Sequence, residues 1–330
     1  MNFTELTPEI IFNSAEMATG KSMSGLIYPL PSYINRVYEL QDTDGCRLIA
    51  KFYRSGRWTY EALVDEHLFI QDCLEDELPV IAARILTNGS TLFQLNGLYF
   101  SIFPKRLGRQ FEVKSDEDWK RIGRLVARIH IAGCRRSADS RVKLNPRIST
   151  AQDIDHLIDG GFIPPSHRDA FKDITQKILD EISSRFDDIE TIRLHGDCHP
   201  GNLLEHPDEG IRIIDFDDMM IGPPVHDIWL LLPGRQNQCD QEIRLILQGY
   251  EQFREFDRKT LGLIEPLRAM RIIYFLAWCS RQKEDFKFKD TFPDWGSPNF
   301  WQRETSDLIR QYHAIIEHNS NLGGNRIVIP

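Results

Sequence analysis

The chain has 330 residues, of which 41% are hydrophobic and 27% charged, the composition of a globular protein with one large domain or two smaller ones. Its net charge of −9 argues against nucleic acid as a partner, and no apolar run approaches the roughly 18 residues that span a membrane. Six scattered cysteines predict free thiols and the acidic N-terminus is unlike a signal peptide, so we expect a cytoplasmic protein, and a monomer.

Short β-type runs dominate the first third of the chain. Residues 47–53 (RLIAKFY) predict a strand, and the apolar runs of STLFQLNGLYFSIF flank Asn96-Gly97, a dipeptide that tolerates positive φ and so predicts a hairpin. Earlier, ATGKS at residues 18–22 lacks the first glycine of a Walker A loop because position 15 is alanine. It predicts instead a helix that ends at Gly20.

A helix is predicted over residues 59–74, with Thr59 as its N-cap. One face carries apolar residues at helical spacing, and Glu66 lies in the middle of that face. Burying a carboxylate without a partner is costly, so Glu66 requires a cation nearby. Lys51, flanked by apolar residues in the strand before this helix, is the candidate.

The pattern changes to helices after Pro104. Ser115 caps one helix, and others are predicted over residues 166–186, 225–232, 242–256, 260–282 and 300–318. Short strands are predicted around IRLHGD, NLLEH and IRIIDFDD, the last two joined by a turn at residues 207–210. The sequence therefore predicts an α+β protein with a small, strand-rich N-terminal lobe, residues 1–104, and a larger, mainly helical C-terminal lobe, residues 105–330.

The stretch RLHGDCHPGNLL, residues 193–204, carries the chemistry. Asp197 and Asn202 are five residues apart in a loop broken by glycine and proline, and Asp215 ends an apolar strand that a hairpin returns beside that loop. Carboxylate and amide oxygens are what Mg²⁺ takes, together with phosphate oxygens. Asn202 and Asp215 are thus predicted to bind the metal, and Asp197 to accept the proton of a hydroxyl. With Lys51 and Glu66 they form the set that kinases use for phosphoryl transfer.

Simpler roles compete with these assignments. The three oxygen-bearing residues also shape turns in ordinary loops, although their combination with the lysine and glutamate favours catalysis. Zinc is set aside because His195, Cys198 and His199 have no second ligand pair at suitable spacing. We expect Cys198 to be a small spacer and His199 to brace the loop, while the role of Asp217, metal ligand or solvated neighbour, stays open.

HGDCHPGN followed by IIDFDD resembles the aminoglycoside phosphotransferase and choline kinase-like family, which shares the bilobal protein-kinase fold. A closer likeness within it, to a bacterial serine/threonine protein kinase, runs from about residue 28 to about residue 301. It is carried by six stretches: SYINRVYEL, AKFYRSGRW, GRQFE, LHGDCHPGN, GPPVHDIWLLL and LIEPLRAMRIIYFLAW.

This resemblance implies a role for each matching residue. The catalytic set is Asp197 as proton acceptor, Asn202 and Asp215 on Mg²⁺, and Lys51 on the α- and β-phosphates with Glu66 fixing it. The nucleotide set adds Ser32 and Asn35 in a phosphate-covering loop without the G-x-G-x-x-G pattern, and Phe103 in a hinge, residues 100–106, that holds adenine by backbone groups. His195 and Asp227 match residues that support the catalytic loop.

The resemblance implies ATP- and Mg²⁺-dependent phosphoryl transfer to Ser/Thr hydroxyls of proteins, in a bacterial stress response. Two alternatives stay open: a small-molecule kinase acting on an aminoglycoside- or choline-type alcohol, and a non-catalytic nucleotide-binding sensor. Residues 215–227 (DFDDMMIGPPVHD) contain no Ser, Thr or Tyr, so we expect no activating phosphorylation there.

Overall fold

An antiparallel sheet of five strands organises the N-terminal part of the chain. The computed structural model describes residues 3–207 and 210–324, with side chains described up to residue 317. The sheet has the order β1-β2-β3-β5-β4, and its strands are β1 Met23–Leu30, β2 Arg36–Asp42, β3 Arg47–Phe52, β4 Phe93–Leu95 and β5 Leu98–Pro104. Each strand runs antiparallel to its neighbour.

Alternation along the central strands gives this sheet two different faces. Leu48, Ala50 and Phe52 of β3 belong to a buried cluster that also contains residues of helix α1, Pro8–Thr19. Thr7 caps α1, and Gly20 ends it in a left-handed conformation, which confirms the helix expected in place of a phosphate loop. The other face of β3 is left for Lys51.

The predicted local signals in this region are confirmed. Leu95 pairs with Leu98 around Asn96 and Gly97, which both have positive φ, so β4 and β5 form the expected hairpin. Helix α2, Tyr60–Glu75, starts one residue after the predicted position, with the amide of Ala62 donating to the Thr59 hydroxyl at 3.2 Å.

A smaller three-stranded sheet holds the HPGNLL stretch. It has the order β6-β8-β9, formed by β6 Arg109–Gln110, β8 Leu203–His206 and β9 Gly210–Ile213. His206 pairs with Gly210, as the predicted hairpin requires, although two residues of the expected turn, 208 and 209, lie outside the described residues. Two further strands are β7 Ile192–Leu194 and β10 Met220–Gly222.

Helices make up most of the remaining chain. They are α3 Asp116–Gly133, α4 Ala151–Asp159, α5 Pro165–Ile182, α6 Val225–Trp229, α7 Asp240–Tyr250, α8 Ile264–Gln282, α9 Phe288–Thr291 and α10 Pro298–Gly324. Shorter helical turns lie at Phe3–Glu5, Pro146–Thr150, Ser183–Phe186, Pro200–Asn202, Phe216–Asp218, Gln236–Gln238 and Arg258–Leu263. The α+β class is therefore confirmed. Helix α4 was not predicted, and the helix expected over 166–186 ends as a tighter turn from Ser183.

Contacts group the chain into two compact units. The first comprises Met1–Arg141, Arg193–Met220 and Gln241–Glu255, and the second Val142–Ile192, Ile221–Asp240 and Phe256–Pro330. The first unit contains the five-stranded and the three-stranded sheet and α1 to α3. In the second unit, α8 packs against α4, α6 and α10. The predicted lobe boundary at residue 104 is a different division and stays a prediction.

The structure also bears on two expectations for the whole chain, the state of its cysteines and the presence of membrane-spanning helices. All six cysteines carry free thiols, as predicted. Within residues 3–207 and 210–324, every helix is too short or too polar to cross a bilayer.

Helices α3 and α7 cross at two glycines. A Cβ atom on Gly123 would lie 2.0 Å from the carbonyl oxygen of Ile246, and one on Gly249 would lie 2.0 Å from that of Lys120. The two backbones therefore touch, and neither helix has room for a methyl group at this crossing.

We expect Gly123→Ala to lower the free energy of unfolding by about 1–3 kcal/mol, because the overpacked crossing outweighs the gain of roughly 1 kcal/mol in helix propensity. Urea unfolding followed by circular dichroism measures the change. Gln248→Ala, on the exposed side of α7, is the matched control and should change stability little. An unchanged midpoint for Gly123→Ala would contradict the crossing.

Candidate active site

Strand β3 delivers Lys51 into the first unit's interior. Lys51 pairs with Val37 of β2 and Ser101 of β5, on the sheet face opposite to the α1 core. The residue is buried. A buried ammonium requires anions close by, and the structure provides three.

The ammonium of Lys51 is shared by three carboxylates. Its Nζ atom lies 3.0 Å from Oδ1 of Asp215, 3.4 Å from Oδ1 of Asp217 and 3.7 Å from Oε1 of Glu66. Burial opposes the charge on Lys51, but the three carboxylates together raise its pKa well above the ordinary value. Lys51 is therefore a cation under all physiological conditions.

Glu66 lies on the buried face of α2, as the helical spacing indicated. Its second oxygen, Oε2, is 3.8 Å from the guanidinium of Arg141 and makes no hydrogen bond among the described residues. Burial raises the pKa of Glu66 to about 7, against the opposing charges of Lys51 and Arg141, and Asp217 adds to the rise. The Lys51–Glu66 pair is thus present, and Glu66 is a much weaker acid than Asp217, the other buried partner of Lys51.

Asp217 is the centre of a second set of charges. It is buried, and its carboxylate contacts Lys51 and the guanidinium of Arg57, and accepts a hydrogen bond from the amide of Asn35. Burial alone would raise the pKa of Asp217, but Lys51, Arg57 and Arg141 lower it to about 2. The carboxylate of Asp217 is therefore enclosed by cations and is not a solvated neighbour of Asp215.

Two arginines hold the turn that follows Asp215. Arg141 donates to the carbonyl oxygens of Phe216, Asp217 and Met219 at 3.3, 2.7 and 3.0 Å, and its guanidinium lies 4.0 Å from the centre of the Trp58 ring. Arg57 reaches the same turn through the side chains of Asp217 and Asp218, the latter at 2.5 Å. The backbone around the turn is consequently fixed by charge-assisted bonds.

The loop that carries Asp197, predicted as the catalytic loop, is fixed at its start by His195. This buried imidazole bonds through Nε2 to the carbonyl oxygen of Ile214 at 2.9 Å, and its Nδ1 accepts from the amide of Asp197 at 3.3 Å. The neighbouring Gly196 has φ +82°, and a Cβ there would lie 2.0 Å from the carbonyl oxygen of Asp218. Loop and turn are therefore in direct backbone contact.

Asn202 and Asp215 are brought together by the β8–β9 ladder. Leu203 pairs with Ile213, and the amide of Ile214 donates to the carbonyl of Asn202 at 3.0 Å. Asn202 lies directly before the ladder and Asp215 directly after Ile214, so the two predicted metal ligands flank these contacts. The side-chain amide of Asn202 donates to the carbonyl of Asp197 at 2.9 Å. Its nitrogen is thereby anchored, and Oδ1 is the end left for a cation.

The donor set fits one hard cation bound jointly with a phosphate. The side chain of Asp215 is 54% exposed, on a residue with φ +64°, and the residue before it, Ile214, is hydrogen-bonded to the backbone of Asn202. Among the described residues, no cluster of three His, Cys, Asp or Glu side chains could hold a metal alone. One carboxylate and one amide leave the remaining octahedral positions to phosphate oxygens and water, as Mg²⁺ commonly requires.

A cavity of about 350 Å³ adjoins these residues. Its polar wall includes Ser32, Lys51 and Asp215, and its other lining residues include Leu30, Val37, Ile49, Phe103, Pro104, Arg106, Leu204 and Ile213. An apolar slot that ends in a lysine and a carboxylate has the chemistry of a nucleotide site: a flat base at one end and phosphates at the other.

Strand register decides which hinge groups face this cavity. Lys105 donates to the carbonyl of Arg47, so by alternation Phe103 also spends its N–H and C=O on β3, opposite Ile49. The carbonyl of Ile102 points the other way and accepts from Arg84. By the same alternation, the next backbone groups that point away from β3, to the same side as the Ile102 carbonyl, are the Pro104 carbonyl and the Arg106 N–H. Phe103 therefore lines the cavity with its side chain, and not with backbone groups.

The loop after β1 is braced from behind. Arg54 donates to the carbonyls of Tyr33 and Ile34 at 3.1 and 2.9 Å, and Arg36 donates to those of Tyr33 and Asn35 at 3.0 and 3.2 Å. The side chain of Asn35 accepts from the amide of Arg54 at 3.1 Å while donating to Asp217. Asn35 is engaged at both ends, so Ser32 is the loop side chain that remains for a phosphate.

Sequence reasoning missed Arg57 and Arg141. A local signal for Arg57 existed. It lies two residues before the Thr59 cap, and because a helix N-terminus favours anions, a cation there indicates a partner elsewhere. Arg141 had none, since its partners are 75 or more residues away. Asp227 is buried on α6 in the second unit, and its predicted support of the catalytic loop stays a prediction.

Comparison with known proteins identifies relatives over most of the chain. Residues 27–263 match the model of the phosphotransferase enzyme family. Stress response kinase A of Escherichia coli (strain K12) is 37% identical over 318 residues, which are 96% of this chain and 95% of that protein. Serine/threonine protein kinase RdoA of Salmonella typhimurium is 37% identical over 316 residues, with the same shares.

Solved structures share the fold at low sequence identity. Amicoumacin kinase hAmiN, in complex with AMP-PNP, Ca²⁺ and Ami, has a TM-score of 0.73 at 17% identity and covers 94% of both chains. A microcompartment-associated aminopropanol kinase has a TM-score of 0.68 at 14% identity, over 96% of this chain and 98% of its own.

The position of Glu66 predicts a pH-dependent stability difference. Its pKa is raised in the folded state, to about 7 from an ordinary 4.5, so its ionisation destabilises the fold as the pH rises through that window. Glu66→Gln mimics the protonated form at every pH. We expect the melting temperature of the variant, relative to the wild type, to rise between pH 5 and pH 8.

Glu61→Gln is the control, since Glu61 is exposed on the same helix. Its melting temperature should follow that of the wild type at both pH values. A Glu66→Gln difference that stays constant, or falls with pH, would show that Glu66 is fully ionised in the folded protein.

Proposed function

The chain belongs to the phosphotransferase enzyme family, and from that premise we propose that it transfers the γ-phosphoryl group of ATP, with Mg²⁺, to Ser/Thr hydroxyls of proteins. One observation carries the proposal: Lys51 and Asp215 contact each other in the wall of a nucleotide-sized cavity. Backbone contacts join them to the other two residues, because Ile214, which precedes Asp215, donates to the carbonyl of Asn202, and the Asn202 side chain donates to the carbonyl of Asp197. A structural role alone does not require this set in one place.

The hinge supports adenine as the base. By alternation from the β3–β5 pairing, the Pro104 carbonyl is placed to accept a hydrogen bond from the base, and the Arg106 N–H, two residues on, to donate one on the same side. Adenine offers an amino donor beside a ring-nitrogen acceptor, which matches that order. Guanine offers an oxygen acceptor beside an N–H donor, which opposes it.

Asn202 and Asp215 would hold Mg²⁺. When bound, the ion supplies positive charge that bridges the phosphates and offsets the charge that develops during transfer. Lys51 already contacts Asp215 at 3.0 Å, so the ammonium stands where phosphate oxygens beside that carboxylate would meet it. Glu66 and Asp217 fix the ammonium from behind.

Asp197 would act on the acceptor. The hydroxyl gives its proton to the Asp197 carboxylate while its oxygen bonds to the γ-phosphorus, and the bond from that phosphorus to the β-bridging oxygen breaks, releasing ADP. The protein's work is to align these groups and to present fixed charges, which is where the rate arises.

Proteins are the acceptors that the relatives favour. Two relatives, each 37% identical and matched over 95% of their length, are named stress response kinase A and serine/threonine protein kinase RdoA. A small-molecule alcohol is the second candidate, because the amicoumacin and aminopropanol kinases share the fold. Their identity of 17% or less carries the fold alone. Function in a stress response, a cytoplasmic location and a monomeric state belong to the same proposal.

Asp197→Asn should abolish phosphoryl transfer while leaving ATP binding nearly unchanged, because Asp197 does not line the nucleotide cavity. Single-turnover transfer measures the first and isothermal titration with Mg²⁺ and a non-hydrolysable ATP analogue measures the second. A non-catalytic sensor would bind the analogue and show no transfer even in the wild type. Residual transfer near the wild-type rate would remove Asp197 from the base role.

Radiolabelled ATP separates the acceptor classes. The wild type, incubated with bacterial lysate proteins and in parallel with a panel of aminoglycosides, amino alcohols and choline, should label serine or threonine in proteins and leave the panel unlabelled. Phosphoamino-acid analysis identifies the residue. Asp197→Asn is the blank for both arms. Label confined to the small alcohols would establish the second candidate and overturn the first.

A further inference from the structure

His199 contacts the proposed base directly. It lies two residues after Asp197, and its Nε2 atom is 3.3 Å from Oδ2 of the Asp197 carboxylate. On its other side, Nδ1 accepts a hydrogen bond from the amide of Gly201 at 3.0 Å. A ring nitrogen that accepts from an amide carries no proton, so the proton of the neutral ring is on Nε2. The imidazole is therefore a donor aimed at Asp197.

Gly201 makes room for that imidazole. Its φ lies outside the left-handed region, so the backbone at this position does not demand glycine. A Cβ there would lie 2.7 Å from Cε1 and 2.9 Å from Nδ1 of His199. The missing side chain of Gly201 is thus explained by the ring beside it, which is an observation independent of the contact with Asp197.

We propose that His199 is a positioning residue for the base: with its tautomer set by Gly201, it holds the Asp197 carboxylate through Oδ2 in the orientation that meets the acceptor hydroxyl. The backbone of Asp197 is already fixed from two sides, by His195 at its amide and by Asn202 at its carbonyl. These backbone contacts do not control rotation of the Asp197 carboxylate about its Cβ–Cγ bond. The contact from His199 acts on that rotation.

This role goes further than bracing of the loop. A brace would stabilise the fold and act on every step alike, whereas a group that orients one carboxylate acts on the transfer step. His199 does not line the nucleotide cavity, so nucleotide binding should be insensitive to it. The inference rests on the proposed function, since it gives Asp197 the role of base.

The kinetic test uses His199→Leu, His199→Gln and Gly201→Ala. His199→Leu should lower kcat about 10- to 100-fold with little change in KM for ATP, the size expected for one hydrogen bond to a charged group. His199→Gln, which keeps an N–H donor of similar reach, should recover much of that loss. Gly201→Ala keeps the histidine but displaces its ring, so it should resemble His199→Leu.

His313→Leu is the control, because His313 is exposed on α10 and should leave kcat unchanged. Melting temperatures accompany all four variants, and a variant that melts early is judged by its kcat below that temperature. Wild-type kcat in His199→Leu, together with loss of transfer in Asp197→Asn, would overturn the positioning role and leave the proposed function standing.

A second readout does not depend on activity. ¹⁵N–¹H correlation spectra of histidine-labelled enzyme distinguish the two neutral tautomers, and the His199→Leu spectrum identifies the resonance. We expect the Nε2-protonated form in the wild type and its loss or mixing in Gly201→Ala. An Nδ1-protonated ring would overturn the inference, whatever the result with Asp197→Asn.

Discussion

One ammonium group organises the active region of this protein. Lys51 stands among Glu66, Asp215 and Asp217, while Arg57 and Arg141 supply the remaining positive charge and Asp218 a fourth carboxylate. Four carboxylates thus face three cations. Burial raises the pKa of Glu66 to about 7 in spite of the cations Lys51 and Arg141, while Asp217, surrounded by cations, is held at about 2. Removing a single member leaves a buried charge without its counter-charge, which costs more than the pair contributes.

The helix that carries Glu66 is fixed a second time, near its other end. Asp72 of α2 is fully buried and bonds to Arg193 at 2.7 Å, and also to Arg136. Arg193 lies on β7, four residues before Asp197, and donates further to the carbonyls of α3. Glu66 and the catalytic loop are therefore tied through one buried ion pair.

The turn after Asp215 is likewise fixed by two arginines, and residues 215–227 contain no hydroxyl side chain. In the structure, the two arginines therefore hold this turn without a phosphorylated side chain in it.

Local sequence signals predicted individual residues and elements of the candidate site. Contacts between residues far apart in the chain determine which groups of those residues are available. Thr59 as a cap and the helical spacing around Glu66 are readable from a few neighbouring residues, as is the Asn96-Gly97 hairpin. The partners of Arg141 are not, because a residue in a loop gives no sign of carbonyls 75 residues away. Register shows the same limit: residues 100–106 were predicted as the hinge, but only the pairing with β3 shows that Phe103 has no backbone group to offer. The predicted nucleotide contact of Asn35 stays a prediction, while its side-chain amide is engaged by Arg54 and Asp217, which the sequence did not indicate.

The missing glycines of the phosphate-covering loop have a physical counterpart in Arg36 and Arg54. In a planar peptide unit, the carbonyl and the following N–H point in opposite directions. Because guanidinium groups hold the carbonyls of Tyr33, Ile34 and Asn35, the N–H groups of those units are turned away from the arginines. Both guanidiniums lie over the Phe3 ring, at 4.6 and 5.4 Å from its centre. A glycine-rich loop obtains suitably oriented amides through conformational freedom. In the nucleotide site proposed above, the same orientation would be imposed by charge, and the ordering cost would be met when the protein folds, before a nucleotide binds.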